Sequence, residues 1–269
     1  MQVNPSSYYQ WLKHKDIPKQ WELDRVTLTH LIKDVHKRYP SYGYHRMAAM
    51  IREETGWVVT DHRVHKCCQA ANIHSQAKHY KSTIKHTGQE HKKYPNYIGK
   101  CWAAVIKELE LIVSDMTVIK YRKTNYETTF YMDIYARNIV GYAYSSLQGD
   151  VTPYYKGLEQ VKEKLKGIEY PTILHTDQGS VYSSTAFENA HQDYNIIRSM
   201  SRAGTPTDNP IIESMNGWIK AEIKVDFDID SWETYEEFLD YFVEYYNMKR
   251  PAYALKYKTP NQYLLDSRL

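Results

Sequence analysis

The stretch from His175 to Lys220 constrains the fold more than any other. Pro171 and Thr172 open a short apolar run, Thr172-Ile173-Leu174, and Gly179 closes it, so the run reads as a buried strand with Asp177 at its exit. Further on, Asn209 is a good N-cap and Pro210 suits the first position of a helix. Glu213 then falls in the first turn, where the helix dipole favours a carboxylate. Ile212, Met215, Ile219 and Ile223 recur at helical spacing and form a packing face. Glu213 and Lys220 share the opposite face, two turns apart, with Gly217 between them.

A third acid belongs with these two. Asp115 is the acid at the centre of a strand-like run, Leu109-Glu110-Leu111-Ile112-Val113-Ser114-Asp115-Met116-Thr117-Val118-Ile119. Burying a carboxylate there is costly unless something cationic compensates it. Three carboxylates gathered from two strands and a helix suit a divalent metal such as Mg²⁺, which takes oxygen ligands. A pair of such ions can clamp both the attacking and the leaving oxygen of a phosphodiester displacement.

These residues carry a resemblance. Asp115, Asp177 and Glu213 match the Asp-Asp-Glu signature of retroviral-integrase-like transposases, with 35 residues between Asp177 and Glu213 as in that family. The flanks, His175-Thr176-Asp177-Gln178-Gly179-Ser180, Ser201-Arg202-Ala203-Gly204-Thr205-Pro206-Thr207-Asp208-Asn209-Pro210 and Glu213-Ser214-Met215-Asn216-Gly217-Trp218-Ile219-Lys220, are similar to the second-frame (OrfB) transposases of the bacterial insertion-sequence-three family. The resemblance covers nearly the whole chain. Three separate structural acids, capping and pairing as acids often do, are the alternative reading of the same residues.

Composition sets the outer bounds. The 269 residues suffice for one large domain and a small one. With 42% hydrophobic and 25% charged residues the chain is ordinary for a globular protein. No apolar run of about 18 residues is present, so no membrane span is expected. Three cysteines and no signal-peptide pattern suggest a reducing bacterial cytoplasm, where the resemblance implies association with the nucleoid. There are 26 Tyr against 5 Phe, most of them expected in core and interfaces. The net charge of +3 is unevenly divided, +9 over residues 1–100 and −6 beyond, which points to a basic front half touching nucleic acid and an acidic, metal-binding back half.

Along the chain, residues 1–22 hold one helical turn or two. A helix follows with Val26, Leu28, Leu31, Ile32 and Val35 on its apolar side, stopped at Pro40. A second runs through Met47, Met50 and Ile51 to Gly56. A third, capped by Thr60 or Asp61, turns Val64, Cys68 and Ala71 inward and His62, Arg63, His65 and Lys66 outward. The set looks like helix-turn-helix DNA binding, with Arg46, Arg63 and Lys66 as candidate DNA contacts; a helical bundle with merely solvated cations remains open. A zinc site from His62, His65, Cys67 and Cys68 has the wrong spacing. Residues 74–100 hold six Lys and one acid and read as a basic linker, either an arm on DNA or a solvated tether.

From Trp102 on, three strands (around Asp115, over 126–135 and over 139–144) precede a helix over 153–168, the strand reaching Asp177, a helix over 184–193, a strand over 195–198 and the Glu213 helix. Asp230 and Glu233 are expected to cap a last helix containing Phe238 and Phe242, followed by a basic turn at Lys249-Arg250. Asp133 reads as structural, paired with Arg137. The order is compatible with a mixed α/β sheet, and the resemblance implies a ribonuclease-H-like integrase core. The expected division is 1–73 helical DNA-binding region, 74–101 basic linker, 102–228 catalytic core, and 229–269 C-terminal helix and basic tail packing on the core.

The resemblance implies a transposase that cleaves and joins DNA with two Mg²⁺ ions, Mn²⁺ substituting, held by Asp115, Asp177 and Glu213. Lys220 would steer a phosphate, and Arg202 would be a weaker DNA contact. Expected partners are element ends and target DNA, a second copy of the chain on that DNA, and an upstream-frame helix-turn-helix and leucine-zipper protein, separate or fused, because residues 1–22 hold no zipper. A structure-specific nuclease and a non-catalytic DNA-binding remnant are the competing functions.

Overall fold

The computed structural model describes residues 5–14, 19–77, 93–99, 101–202 and 208–268. Most of the basic linker and the Ala203–Thr207 part of the motif lie outside the described residues. Two compact units result, Met1–Ala77 and Lys78–Leu269.

The first unit is helical: α1 (Pro5–His14), α2 (Gln20–Arg38), α3 (Tyr44–Thr55) and α4 (Asp61–Ala70). Each boundary has a local cause. Gly56 ends α3 in the left-handed conformation, φ 67°. The Thr60 hydroxyl, rather than Asp61, caps α4 by accepting the Arg63 N–H at 3.3 Å. The core is Leu28, Ile32 and Val35 of α2, Met47, Ala48, Met50 and Ile51 of α3, and Val64, Cys67 and Cys68 of α4. Each large aliphatic among them stabilises the unit by about 1.5–3 kcal/mol. Two expectations need correction. Val26 is 57% exposed, because it lies half a turn from the Leu28–Ile32–Val35 stripe. The N-terminal segment is a ten-residue helix rather than one or two turns.

The second unit is built on a five-stranded sheet of β1 (Leu111–Tyr121), β2 (Thr124–Asp133), β3 (Ile139–Ser145), β4 (Thr172–Thr176) and β5 (Ile196–Met200), in the order β3-β2-β1-β4-β5. β1, β2 and β3 pair antiparallel, whereas β4 joins β1, and β5 joins β4, in parallel. An antiparallel three-stranded meander extended by two parallel strands through helical crossovers is the ribonuclease-H-like arrangement. The helices are α5 (Thr152–Leu165), the short α6 (Thr185–Asn189), α7 (Pro210–Asp226), α8 (Tyr235–Met248) and α9 (Pro260–Ser267).

α5 lies directly on the β2–β3 backbone. A Cβ on Gly141 would come 2.4 Å from the Gly157 carbonyl oxygen, and one on Gly157 would come 2.6 Å from the Tyr131 ring, so only glycine permits this approach. Leu158, Val161 and Leu165 of α5 then bury against Ile112, Tyr131, Val140, Leu174 and Phe187. Several tyrosines complete the cores: Tyr126 stacks on Tyr235 at 4.2 Å, and the Tyr235 hydroxyl bonds Thr128 at 2.6 Å.

Two more expectations are corrected here. Thr234, not Asp230 or Glu233, caps α8, accepting the Glu237 N–H at 3.2 Å. Asp133 is fully buried, and its carboxylate accepts the backbone N–H groups of Leu109, Tyr135 and Ala136, so its partners are amides rather than Arg137. Among the described residues no helix is long and apolar enough to cross a membrane.

Candidate active site

Strand register brings the first two acids together. In the parallel ladder of β1 with β4 the last recorded pair is Val113 with His175. Asp115 and Asp177 each follow two residues later, on the same faces as that pair, where the two strands cease to bond. Asp115 therefore lies within β1, just past the point where its parallel pairing with β4 ends, and Asp177 lies just past the end of β4. They line one cavity of about 240 Å³, with Tyr154 and Tyr182 as its walls and the 179–181 turn as its rim. The turn is held by Asp177 itself, whose Oδ1 accepts the Gly179 N–H at 2.9 Å.

The electrostatics are those of crowded negative charge. Burial pushes the Asp115 carboxyl up to about 7, and the charges of Asp177 and Glu213 push the same way; the Met116 N–H and the Asn216 amide oppose them. Glu213, exposed in the first turn of α7, is raised by partial burial and then by Asp177. The three acids thus feel one another. Among the described residues, however, no three His, Cys, Asp or Glu side chains are close enough to form a ready-made metal cage. Asp115 and Asp177 are the preformed pair, and Glu213 is not a wall of their cavity.

Asn216 escaped the sequence reading. It lies one turn beyond Glu213, and its Nδ2 donates to Asp115 Oδ2 at 2.9 Å. Its own Oδ1 is buried with no partner. The spacing from Glu213 is the signal that points to it. Asn209 does occupy the N-cap position, but its side chain makes no cap bond and its Oδ1 is buried and unpartnered.

A buried network fixes how α7 enters. His175 is fully buried, which lowers its pKa to about 4 and keeps it neutral. Its Nε2 is 3.0 Å from the Asp208 carbonyl oxygen, which can only accept, so Nε2 carries the proton and Nδ1 accepts from the Ser199 hydroxyl at 2.9 Å. The Asp208 carboxylate is held well below the usual range by Arg202, whose Nε donates at 2.8 Å, whose second guanidinium nitrogen donates at 3.0 Å, and whose backbone N–H adds a third bond. Gln178 Nε2 ties down the Ser201 carbonyl at 2.9 Å. The residue before the N-cap of α7 is therefore anchored to β4, two residues from Asp177.

The far end of α7 is anchored by Arg250. Its guanidinium grips the fully buried Glu222 through two bonds of 2.7 Å. The Lys249–Arg250 turn thus has a structural half. Lys220 is exposed on α7, two turns from Glu213.

In the helical unit the candidate cations divide. Arg63 bonds Asp24 at 3.2 Å and lies 5.4 Å from the Trp57 ring centroid, and Arg46 lies 5.3 Å from that of Tyr42. His65 packs on Tyr44 at 4.4 Å. His62, Lys66 and Gln69, at i, i+4 and i+7 of α4, are exposed.

Known proteins agree with this architecture. The integrase core domain family matches residues 107–206 and, in a second form, residues 192–260, and the HTH-like domain family matches 22–81. The transposase for insertion sequence element IS904 of Lactococcus lactis subsp. lactis (strain IL1403) is 29% identical over 253 residues, spanning 91% of this chain and 96% of its own. The putative transposase InsK for insertion sequence element IS150 of Escherichia coli (strain K12) is 25% identical, spanning 97% and 90%. A chain of a simian T-cell lymphotropic virus intasome is 16% identical with a TM-score of 0.49, covering 80% of this chain and 73% of its own. The chain is an integrase-core protein joined to an HTH-like domain. These matches support, more narrowly, a transposase of the OrfB type of the insertion-sequence-three family.

Proposed function

We propose that this chain is a DDE transposase that cleaves DNA at the ends of an insertion sequence and joins them to target DNA, with Asp115, Asp177 and Glu213 as its catalytic carboxylates. The observation that carries the reading is the placement of Asp115, within β1, and Asp177, just past the end of the neighbouring parallel strand β4, in one cavity of an integrase core, with Glu213 raising the pKa of Asp115.

The residues fit a divalent cation. Two carboxylates that destabilise each other's charge, beside an asparagine oxygen with no partner, are relieved by Mg²⁺, which prefers oxygen ligands. Asp115, Asp177 and Glu213 would hold two ions, and Mn²⁺ would substitute. When bound, such ions stabilise the attacking and leaving oxygens of phosphodiester displacement. The protein's part is to hold its ligands in place. Asn216 fixes the rotamer of Asp115, the Gly179 N–H fixes that of Asp177, and the His175–Asp208 bond sets where α7 delivers Glu213.

DNA contacts are assigned to Lys220 on α7 and to Lys66, with His62 and Gln69, on α4, which are exposed, while Arg63 and Arg46 are half-buried against Asp24 and Tyr42; Arg202 is paired with Asp208 yet exposed, and stays a weaker candidate. We further infer a homo-oligomer on DNA and an upstream-frame zipper partner that reads the terminal repeats. The purified chain, given DNA with a free 3′-hydroxyl end, a plasmid target and Mg²⁺, should yield joined products. Metal-dependent cutting without joining would make it a nuclease, and no metal-dependent chemistry would make it a DNA-binding remnant; either result overturns the proposal.

A further inference from the structure

The described glycines have structural reasons, with one exception. Gly56, Gly99, Gly149 and Gly167 adopt positive φ between 59° and 84°. Gly43 is the N-cap of α3, a position that accepts glycine. Gly141 and Gly157 allow α5 to touch the sheet, and a Cβ on Gly179 would come 2.9 Å from Asp177 Oδ1. Gly217 has none of these reasons. It sits inside the seventeen-residue helix α7, has no positive φ, and a Cβ built on it meets nothing within 4 Å among the described residues. Alanine would fit there without strain and would favour the helix, because an interior glycine exposes backbone and loses more chain entropy on folding.

The surroundings say what the bare backbone is for. Glu213 lies one turn before Gly217 on its face, and Lys220 and Lys224 lie one and two turns after it, all exposed. Behind that face Asn216 reaches Asp115. An acid belonging to the carboxylate site is thus followed by a gap with no side chain, and the gap by two cations in line. A polyanionic strand fits this order. Its phosphates would pair with Lys220 and Lys224 while its backbone crosses the helix where no Cβ keeps it away.

We propose that Gly217 is a close-approach point at which the sugar-phosphate backbone of DNA rests on α7, leading from Lys224 and Lys220 to the carboxylates. The inference rests on the reading of those carboxylates as a DNA-processing site, but its test does not need their chemistry. Gly217→Ala and Gly217→Leu are compared with the wild type in the full chain. Thermal unfolding is followed by circular dichroism, and binding to a labelled DNA duplex by fluorescence anisotropy in EDTA. Gly217→Ala should melt about 2–4 °C higher, as a helix-favouring change does in a domain of this size. It should nonetheless bind DNA about tenfold more weakly, and Gly217→Leu about a hundredfold more weakly. Binding within twofold of the wild type by whichever variants melt no lower than it would overturn the proposal. Weaker binding by such a variant in EDTA supports it even if the wild type never joins DNA, a result that would sink the catalytic reading alone. Joining and binding that survive both substitutions would sink the Gly217 assignment alone.

Discussion

Glu222 and Glu213 stand on the same helix in opposite circumstances. Glu222 is wholly buried and closed by the two bonds from Arg250. Glu213 is exposed, and the charges that act on its site are those of Asp177 and Asp115. The same division separates the two acids of the sheet. Asp133 is satisfied by three backbone N–H groups, whereas Asp115 has the Asn216 amide and the Met116 N–H set against burial and two like charges. Acids that hold the fold together have their bonds made within the chain. Burial and like charge instead raise the Asp115 carboxyl, which the proposed metal ions would relieve.

The strongest way to break this contrast is chemical. Glu213→Gln keeps size and hydrogen bonding and removes the charge. Cleavage and joining should fall at least about a thousandfold, some 4 kcal/mol of transition-state stabilisation, while DNA binding in EDTA and the melting temperature stay as in the wild type. Mg²⁺-dependent joining by the purified variant would remove Glu213 from the site. The closed pair should answer in stability instead. Arg250→Met removes the guanidinium from the buried Glu222, and urea unfolding should show a loss of about 3–5 kcal/mol, much of it recovered in the Arg250→Met, Glu222→Leu double variant. Equal losses in the single and the double variant would mean that the pair is not what closes this end of α7.

The open site should also show in the pH dependence of stability without metal. An unfolded Asp115 titrates near 3.8 and the folded one near 7, so folding takes up a proton between those values. Stability therefore falls as pH rises from about 4 to about 7 and is flat above, the lost part amounting to at most about 4 kcal/mol. Asp133, raised to about 6 by burial, adds a smaller slope of the same sign. In EDTA, Asp115→Asn should flatten most of the decline between pH 5 and 8, and added Mg²⁺ should reverse it in the wild type at pH 8. A wild-type stability that rises over this range would contradict the crowding of charge. The smallest effect is expected at Lys220. Lys220→Ala should reduce the slope of log binding constant against log salt by about one unit, uniformly across DNA sequences. An unchanged slope would make it a lysine on a solvated face.

Much of the site was legible in the sequence because its signals are local. A strand ending in an acid, a Pro-started helix with an acid in its first turn and a flanked motif located Asp115, Asp177 and Glu213 without knowledge of the packing. What escaped was set by distant partners. Arg250 reads as part of a basic turn, and nothing near it in the chain names Glu222, 28 residues earlier, as its partner. Val26 followed helical spacing, yet spacing cannot say which part of a helix has neighbours. Asn216 was within reach, one turn from Glu213, but an asparagine on a helix announces nothing until an acid on another element meets it.

The Arg250 bond also bears on when during synthesis the protein can act. Asp115 is fixed early, by a hairpin whose two strands follow each other in the chain. Glu213 arrives about a hundred residues later, and the helix that carries it is locked from behind only by a residue translated 28 positions after Glu222. At about 5–20 residues per second that delay is on the order of 1.5–6 s. A ribosome that stalls or a message that ends within this window releases a chain with all three proposed catalytic carboxylates already made and the clamp on the Glu213 helix missing. Truncated products would then be poor at cutting the genome that encodes them.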